Sequence, residues 1–582
     1  MGFPRLNYKL MWYRTVLSSE HQNGVTEENL NIPVSVSLVQ ILQAFKQNGW
    51  RGLIVGGAVR DALLGYVPKD IDIEVYGPDF NQLSSVLNEY GYVLGNATNS
   101  AESSSIIGKA FGVIKFRDKE GNDYDFSLPR RDSKTGEGHT GFDIQVDPNM
   151  SPFEAAKRRD FSFNALAYDP LNYKMYDYFG GRNDLENKIL RATDEKTFGE
   201  DPLRVLRGMQ FAARMGLTIE PKTAQIAKTL ADDLKDLYKT SDNTNGISRE
   251  RVAEEFMKLA TKGKFPGSAI QYLIDTGWIK YFPQIEAIVD VPQEYEWHPE
   301  GPVHTHTAHV MDAAASIADR RGLTGDDRAV AIFAALGHDF AKAFTTEQKE
   351  KGGKMRWTAH GHEEAGGPVV QEFLKNIGVK NDIINRVVPL VTNHLNHIQY
   401  KDSNIGKRQV RILSHNLSPA TIEELVDLIE ADHSGRPPLP KKLPDQAQWL
   451  LDAAKADDVH NRKPAPVITG KHVVPYFQGK TGPHIGKAVQ EAYKAYLKDH
   501  YSTLEEGKAW LENYVKPSAA LLRGEHVLPY FNGRGGPEVG KILDDAWNAQ
   551  LENKFADQES AQKWLSIYMK TNYQPIDSRP EN

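Results

Sequence analysis

The stretch that most narrows the fold is "GLIVGGAVRDALLGYVPKDIDIEVYG", residues 52–77. An apolar run ends in two glycines, a short helical segment follows, and a second run alternates carboxylates with branched apolar residues. In an extended strand side chains alternate faces, so Asp70, Asp72 and Glu74 share one face while Ile71, Ile73 and Val75 share the other. Two carboxylates so spaced on a rigid strand form a clamp for Mg²⁺. Two such metals, roughly 3.5–4 Å apart, activate an attacking hydroxyl and stabilise a pyrophosphate leaving group. Gly56 and Gly57 are expected to leave backbone N–H groups open to phosphate oxygens, at the positive end of the helix they start. Arg60, one turn in, is placed to reach a triphosphate. Each piece alone is ordinary, and the combination is specific.

The 582 residues suffice for several domains with buried cores. There is no cysteine, so disulfides and thiolate metal sites are excluded. Any metal must rest on His, Asp and Glu, which suits Mg²⁺, Mn²⁺, Ni²⁺ or non-thiolate Zn²⁺. The composition is 40% hydrophobic and 25% charged, without an apolar run of membrane-spanning length. The N-terminus lacks a signal-peptide pattern, and a soluble, cytoplasmic protein without membrane partners is expected. A net charge of −7 argues against a wholly basic nucleic-acid coat but leaves room for a local basic groove.

Residues 1–48 read as a polar extension closing in an amphipathic helix, "VSVSLVQILQAFKQNG". Residues 49–180 alternate β-rich runs with helical segments. From 181 the pattern is helical, and a second helical block, 295–435, is rich in histidine. The proline-rich "SGRPPLPKKLP" leads into an expected linker, 436–463. Beyond it "GKHVVPYFQGKTGPHIGK" (470–487) recurs 54 residues later as "GEHVLPYFNGRGGPEVGK" (524–541), as do Trp510 and Trp564. Residues 464–582 are therefore two copies of a small module rather than a stacked array.

Three further segments follow the opening unit: "RRDFSFNALAYD" (158–169), "DYFGGRNDLENKILRAT" (177–193) and "GEDPLRVLRGMQFAARMGL" (199–217). In the last, helical periodicity puts Val205, Leu206, Met209, Ala212 and Ala213 on one face. Arg204, Arg207, Gln210 and Arg214 gather on the other. "EDP" supplies acidic residues at the positive helix end. The polar side reads as an outward arginine ladder or as a plain solvated face.

This series resembles the class II tRNA nucleotidyltransferases, the CCA-adding enzymes of the polymerase-β-like superfamily, and their relatives the bacterial poly(A) polymerases. The resemblance runs from about residue 50 to 435. It implies an α+β fold: a polymerase-β-like mixed-sheet nucleotidyltransferase head (49–180), then mostly α-helical neck (181–294), HD and tail domains. It also implies Mg²⁺, CTP, ATP and tRNA as partners, and template-independent addition of CMP and AMP to the tRNA 3′ end. Poly(A) addition shares the head motifs. A phosphohydrolase whose head only binds RNA is a third possibility, and a catalytically dead RNA-binding protein is disfavoured by intact Asp70 and Asp72.

In the family the Asp and first Arg of "EDxxR" read the Watson–Crick edge of the incoming base; here these are Asp201 and Arg204. Arg159 and Arg207 match nucleotide-contacting positions. Gln210 stands where the family usually has arginine, which is expected to weaken nucleotide affinity or alter selectivity. Asp125, in "YDFSLPR", is either a third member of the clamp or a plain strand-face aspartate.

The histidine block holds "WHPEGPVHTHTAHVMDAA" (297–314), "ALGHDFAKAF" (335–344), "AHGHEEAG" (359–366), "VTNHLNHI" (391–398) and "EADHSGR" (430–436). One buried histidine is ordinarily a core residue; five clusters are not. The adjacent His338-Asp339, with an earlier His and a later Asp, resembles the HD-type metal phosphohydrolases, as in the proteobacterial HD-containing branch of CCA-adding enzymes. That resemblance implies His306, His338, Asp339 and Asp432 as ligands of a divalent cation, Ni²⁺ or Mn²⁺ among the candidates. His362 and His394 would supply a second metal or bind phosphate, which Lys342 would neutralise. Phosphatase and 2′,3′-cyclic phosphodiesterase activity are the implied chemistry. "HDFAK" puts Ala341 where the pattern has glycine; if that glycine holds a positive φ, alanine strains the turn.

In the tail, Gly482-Pro483 and Gly536-Pro537 precede helices whose N–H groups could cradle a phosphate, aided by Lys480, Lys487, Arg534 and Lys541. A compact packing module is the alternative. A similar "GPEIG" element occurs in the tails of some CCA-adding enzymes.

Overall fold

The computed structural model describes residues 20–573 except 23–24, 69, 94–112, 135–141, 239, 241–242, 244–245, 478–480, 516–519 and 552–553. The head is a mixed sheet. Its strands are β1 (Glu20–Gln22), β2 (Val25–Asn29), β3 (Arg51–Val55), β4 (Ile71–Tyr76), β5 (Gly91–Val93), β6 (Val113–Asp118) and β7 (Asp123–Ser127). A separate hairpin of β8 (Arg130–Lys134) and β9 (Phe142–Val146) intervenes before β10 (Leu166–Asp169) and β11 (Lys174–Asp177) complete it. The strand order is β1-β2-β11-β10-β3-β4-β7-β6-β5. The central pair, β4 and β7, runs parallel.

The alternation read from the sequence positions β4: Ile73 and Val75 are buried while Asp72 is exposed. Helix Val36–Gln47 lays Leu38, Ile41, Leu42 and Phe45 into the same core as Ile73, Val75, Phe116 and Phe126. Ser35 caps this helix, its Oγ accepting from Leu38 N at 3.0 Å. Each fully buried side chain of this size contributes about 1.5–3 kcal/mol, so the sheet's polar face is held from behind.

In the neck, helix Leu203–Met215 packs against Arg249–Lys262 and Ser268–Asp275. Its expected apolar face is buried. The other side departs from expectation: Gln210 is only 2% exposed and its Oε1 accepts no hydrogen bond. The neighbouring helices cover a side that periodicity alone leaves open. A Cβ at Gly208 would lie 2.1 Å from Tyr272 Oη, which donates to Val205 O at 2.9 Å, so glycine permits this close crossing.

The histidine block consists of helices Val303–Arg321, Gly325–Gly337, His362–Asn376, Asn381–Asn393 and Ile422–Ser434, with a hairpin of Glu347–Lys351 and Lys354–Thr358. Ala341 has φ −73° and ψ −13°, right-handed helical values. The strain expected there is absent because this turn continues as helix, where alanine is at ease.

The chain divides into two compact units, Met1–Asn396 with Glu424–Pro444, and His397–Glu423 with Asp445–Asn582. In the second, helix Asp445–Ala456 occupies the stretch expected as a linker and buries Ala447, Leu450 and Ala454. The apolar residues of this stretch make core, which the neighbouring prolines had obscured. Arg411, 2% exposed, is held by Asp457, by Asp499 at 3.0 Å and by Tyr496 O at 3.2 Å.

The repeat is structural. Helices Gly470–Val473, Pro483–Leu497 and Leu504–Val515 recur as Gly524–Val527, Pro537–Leu551 and Gln558–Asn572. Matching positions build separate cores: Val473 and Val527, Ile485 and Val539, Ala492 and Ala546, Leu511 and Leu565. Trp510 stacks on Tyr514 as Trp564 stacks on Tyr568. Lys480, expected to aid phosphate binding, lies outside the described residues. Among those described, no helix is long and apolar enough to cross a membrane.

Candidate active sites

The first site forms where the head sheet meets the neck. Parallel pairing of β4 and β7 sets Asp72 directly beside Asp125, and Asp70 stands exposed one residue before β4. Desolvation, then the neighbouring Asp125, Asp70 and Glu74 carboxylates, push the Asp72 carboxyl above its ordinary value against the pull of Arg159. A carboxylate under such charge crowding is of the oxygen-donor type that hard divalent cations take.

Two residues further along these strands, at Glu74 and Ser127, opens a cleft of about 270 Å³, lined also by Arg130, Arg158, Arg159 and Arg204. Burial lowers the Arg158 guanidinium to about 10, with Arg130 and Arg204 adding like-charge repulsion. Arg130 and Arg204 are lowered by burial as well. A pocket of crowded guanidiniums favours a polyanion. Arg130 and Arg158 were missed from sequence, although Arg158 opens the quoted "RRDFSFNALAYD".

Other expected residues make contacts within the protein. Gly56 N–H is engaged by Leu166 O at 3.2 Å, so it is not open to phosphate; its φ of +70° and the 2.8 Å from a would-be Cβ to Arg159 Nη1 explain the glycine instead. A Cβ on Gly57 would meet Arg60 Nη2 at 3.4 Å. Arg60 is buried, donating to Asp61 and to Asn164 Oδ1 at 2.7 Å. Arg207 Nε donates to buried Asp160 at 2.7 Å, tying neck to head. Arg204 donates to Thr197 O and Arg158 O. Asp201 accepts from Leu203 N at 3.0 Å and pairs with Arg251 at 3.1 Å, a partner the sequence did not point to.

The second site is a buried nest of imidazoles around Asp339. Asp339 Oδ2 lies 3.2 Å from His338 Nε2 and 3.7 Å from His306 Nε2; its Oδ1 lies 3.2 Å from His362 Nε2. Asp432 Oδ1 is 3.1 Å from His306 Nε2, and His394 Nε2 is 3.2 Å from that of His362. Lys342 Nζ pairs with Asp339 Oδ2 at 2.8 Å. The structure thus brings together all seven residues that the resemblance nominated.

Backbone carbonyls can only accept, so His338, His362 and His394 must each carry a proton on Nδ1, donated to Ala335 O, Ala359 O and Val391 O at 2.8, 2.6 and 2.7 Å. That leaves each Nε2 facing inward as a potential ligand. His306 is oriented by Glu300, whose Oε1 lies 2.7 Å from its Nδ1 and 2.9 Å from His298 Nδ1. Glu300 was not singled out, although it sits in the quoted "WHPEGPV"; nothing local marks its carboxylate as buried.

Burial alone would raise the Asp339 and Asp432 carboxyls; His338 and Lys342 at the first, and His306 at the second, hold both well below the usual range. Burial, with His362 and His338 nearby, pushes His394 down to about 3, so it is a neutral imidazole. Both Asp339 oxygens are buried without a well-aligned hydrogen-bond donor. Converging Nε2 lone pairs around such a carboxylate fit a divalent cation.

A Poly A polymerase head domain matches residues 53–191, and an HD domain matches residues 303–460. The chain is 33% identical over 447 residues to a Multifunctional CCA protein of Xanthomonas campestris pv. campestris (strain B100), covering 75% of this chain and 96% of that one. With a Multifunctional CCA protein of Acinetobacter baumannii (strain AYE) the identity is 32% over 406 residues, 69% of this chain and 88% of the relative. Among solved structures, the fold is similar to that of the Bacillus stearothermophilus CCA-adding enzyme in complex with CTP. That likeness has TM-score 0.52, 19% identity, and covers 83% of this chain and 98% of the other.

Proposed function

The chain belongs to the family of multifunctional CCA proteins, and from that premise we propose that it adds CMP and AMP, taken from CTP and ATP, to the tRNA 3′ end without a template. The observation that carries the reading is the side-by-side placement of Asp72 and Asp125, two residues before Glu74 and Ser127, which line the arginine-rich cleft. With Asp70 they would hold Mg²⁺, which when bound supplies electrostatic stabilisation to the attacking and leaving oxygens. Arg130, Arg158 and Arg159 bind and orient the triphosphate. Asp201 and Arg204 read the base edge, and Arg207 keeps their helix against the head through Asp160. A tRNA substrate implies a cytoplasmic place of action.

The histidine block hydrolyses phosphate esters, 2′,3′-cyclic phosphates among them. His306, His338, Asp339 and Asp432 would hold a divalent cation, and His362 and His394 would add a second pair of donors across Asp339. Such a cation, when bound, would supply Lewis-acid activation of water, and Ni²⁺ and Mn²⁺ suit the nitrogen and oxygen donors. Lys342 holds the substrate phosphate.

The test is incubation with tRNA lacking its 3′ CCA, Mg²⁺ and each labelled nucleotide. Incorporation of C, then A, is expected. Long tracts of A alone would assign poly(A) addition, and no incorporation would leave the head as an RNA-binding element.

A further inference from the structure

We propose that Glu74 is a resident counter-anion of the arginine cleft, a fixed negative charge that opposes the phosphates bound there and so speeds their departure. This rests on the reading of the cleft as the triphosphate site. Among the described residues that line it, Glu74 is the one carboxylate, set among Arg130, Arg158, Arg159 and Arg204. Its side chain is only 13% exposed, and Arg159 Nη2 lies 3.9 Å from its Oε2. That separation is well beyond the 2.7–2.9 Å of a charge-assisted hydrogen bond, so the guanidinium is left exchangeable to a closer anion.

The carboxylate itself is not exchangeable. Tyr76 Oη, on a buried side chain, donates to Glu74 Oε2 at 2.6 Å. The backbone of Glu74 is paired with Leu53 on one side and Ser127 on the other, inside the sheet. The tight bond therefore runs to the sheet and the loose one to an arginine. Burial lowers the Arg130 guanidinium, and Glu74 is the charge that works against it. At Arg158, which burial and Arg130 bring down to about 10, Glu200 and Glu74 do the same. In the empty cleft this negative charge offsets repulsion among the guanidiniums. Once phosphates enter, the same charge repels them. Each nucleotide addition leaves pyrophosphate to be released before the next triphosphate binds, and a fixed carboxylate weakens the hold on both.

The test is calorimetry of inorganic pyrophosphate binding to the full-length protein in EDTA, which reads the side chains without a metal. Glu74→Gln keeps the shape and an acceptor for Tyr76, and should tighten binding by about fivefold, the effect of a unit charge near 4 Å where water still screens it. Glu74→Asp, which keeps the charge, should recover most of the wild-type affinity. In nucleotide addition with Mg²⁺, Glu74→Gln should lower KM for CTP and ATP together and strengthen inhibition by pyrophosphate by a similar factor. A purely structural carboxylate would lower Tm without tightening any of these ligands. Unchanged or weaker pyrophosphate binding in Glu74→Gln overturns the counter-anion. A raised Mg²⁺ requirement also overturns it, by assigning the carboxylate to the metal clamp. Arg158→Ala separates this inference from the reading beneath it. If that variant loses pyrophosphate affinity while Glu74→Gln gains none, the cleft remains the triphosphate site and the role of Glu74 falls alone. Unchanged affinity in Arg158→Ala removes both.

Discussion

Asp72 on β4 and Asp125 on β7 are direct partners in a parallel register, two carboxylates side by side on the exposed face of one sheet. Strands lie about 4.8 Å apart, so neither charge can escape the other without breaking the ladder.

Asp72→Ala and Asp125→Ala should each lower nucleotide incorporation by roughly 1000-fold, matching several kcal/mol of metal-based stabilisation, while tRNA binding persists. Incorporation above a few per cent of wild type in either variant would remove that residue from the clamp. Melting in EDTA supplies the converse: Asp125→Asn relieves repulsion and should not lower Tm.

The contact between Asp160 and Arg207 predicts an acid-sensitive junction of head and neck. Burial opposes ionisation of Asp160, but Arg207 and the hydrogen bond from Asn164 prevail and hold the carboxyl below its ordinary value. A depressed folded value means the contribution is fully present above the unfolded value of about 3.9 and is lost as pH falls through the folded one. Asp160→Asn should cost about 2 kcal/mol at pH 7. The stability gap between variant and wild type should narrow as pH falls below about 3.9; a gap independent of pH would show that the pair contributes through packing alone.

Base selection should respond to Arg251 as well as to Arg204. Asp201 is paired with Arg251, and under the proposed base reading that partner would set its orientation. Arg204→Ala should scramble the choice among CTP, ATP, UTP and GTP. Arg251→Ala should alter the CTP to ATP ratio more than it alters triphosphate affinity. An equal fall for all four nucleotides in both variants would make these arginines structural. Gln210→Arg, which places a charge at a buried position, should destabilise the neck rather than sharpen nucleotide binding.

The two sites carry separate side-chain sets. His338→Ala combined with Asp339→Ala should abolish phosphate-ester hydrolysis and leave CCA addition near wild type. Glu300→Gln should weaken metal binding by about 10–100-fold through His306, read by calorimetry with Mn²⁺ or Ni²⁺. Unchanged metal affinity would reduce Glu300 to packing.

Arg411 makes the tail modules unequal. The first module supplies Tyr496 and Asp499 to this buried guanidinium. Truncation after residue 463 should therefore lower Tm sharply, whereas truncation after 519 should be milder. If either copy grips tRNA, its loss also flattens the salt dependence of binding, by about 0.7–0.9 in slope per phosphate contact. Equal slopes would identify the modules as packing elements.

What could be read in the sequence was what depends on local period and adjacency. The alternation around Asp72 and the apolar face of Leu203–Met215 follow from strand and helix geometry alone. Periodicity names the apolar face of a helix but not what covers the other, hence Gln210. The burial of Arg60 was hidden for a related reason: its partner Asn164 lies 104 residues away. The nest around Asp339 was found through motif resemblance. Glu300 became visible only once folding buried its carboxylate against His306. Ala341 broke a motif without breaking the turn, because a helical φ makes no demand for glycine.

Three of the four imidazoles around Asp339 are oriented by main-chain oxygens lying three residues before them. A carbonyl is the one hydrogen-bond acceptor that no point mutation can delete. The proton inventory of the centre is therefore insured against drift at Ala335, Ala359 and Val391, where any residue that keeps the backbone course presents the same oxygen. His306 alone depends on a side chain, Glu300, and that carboxylate is where genetic change can retune the metal without touching a ligand.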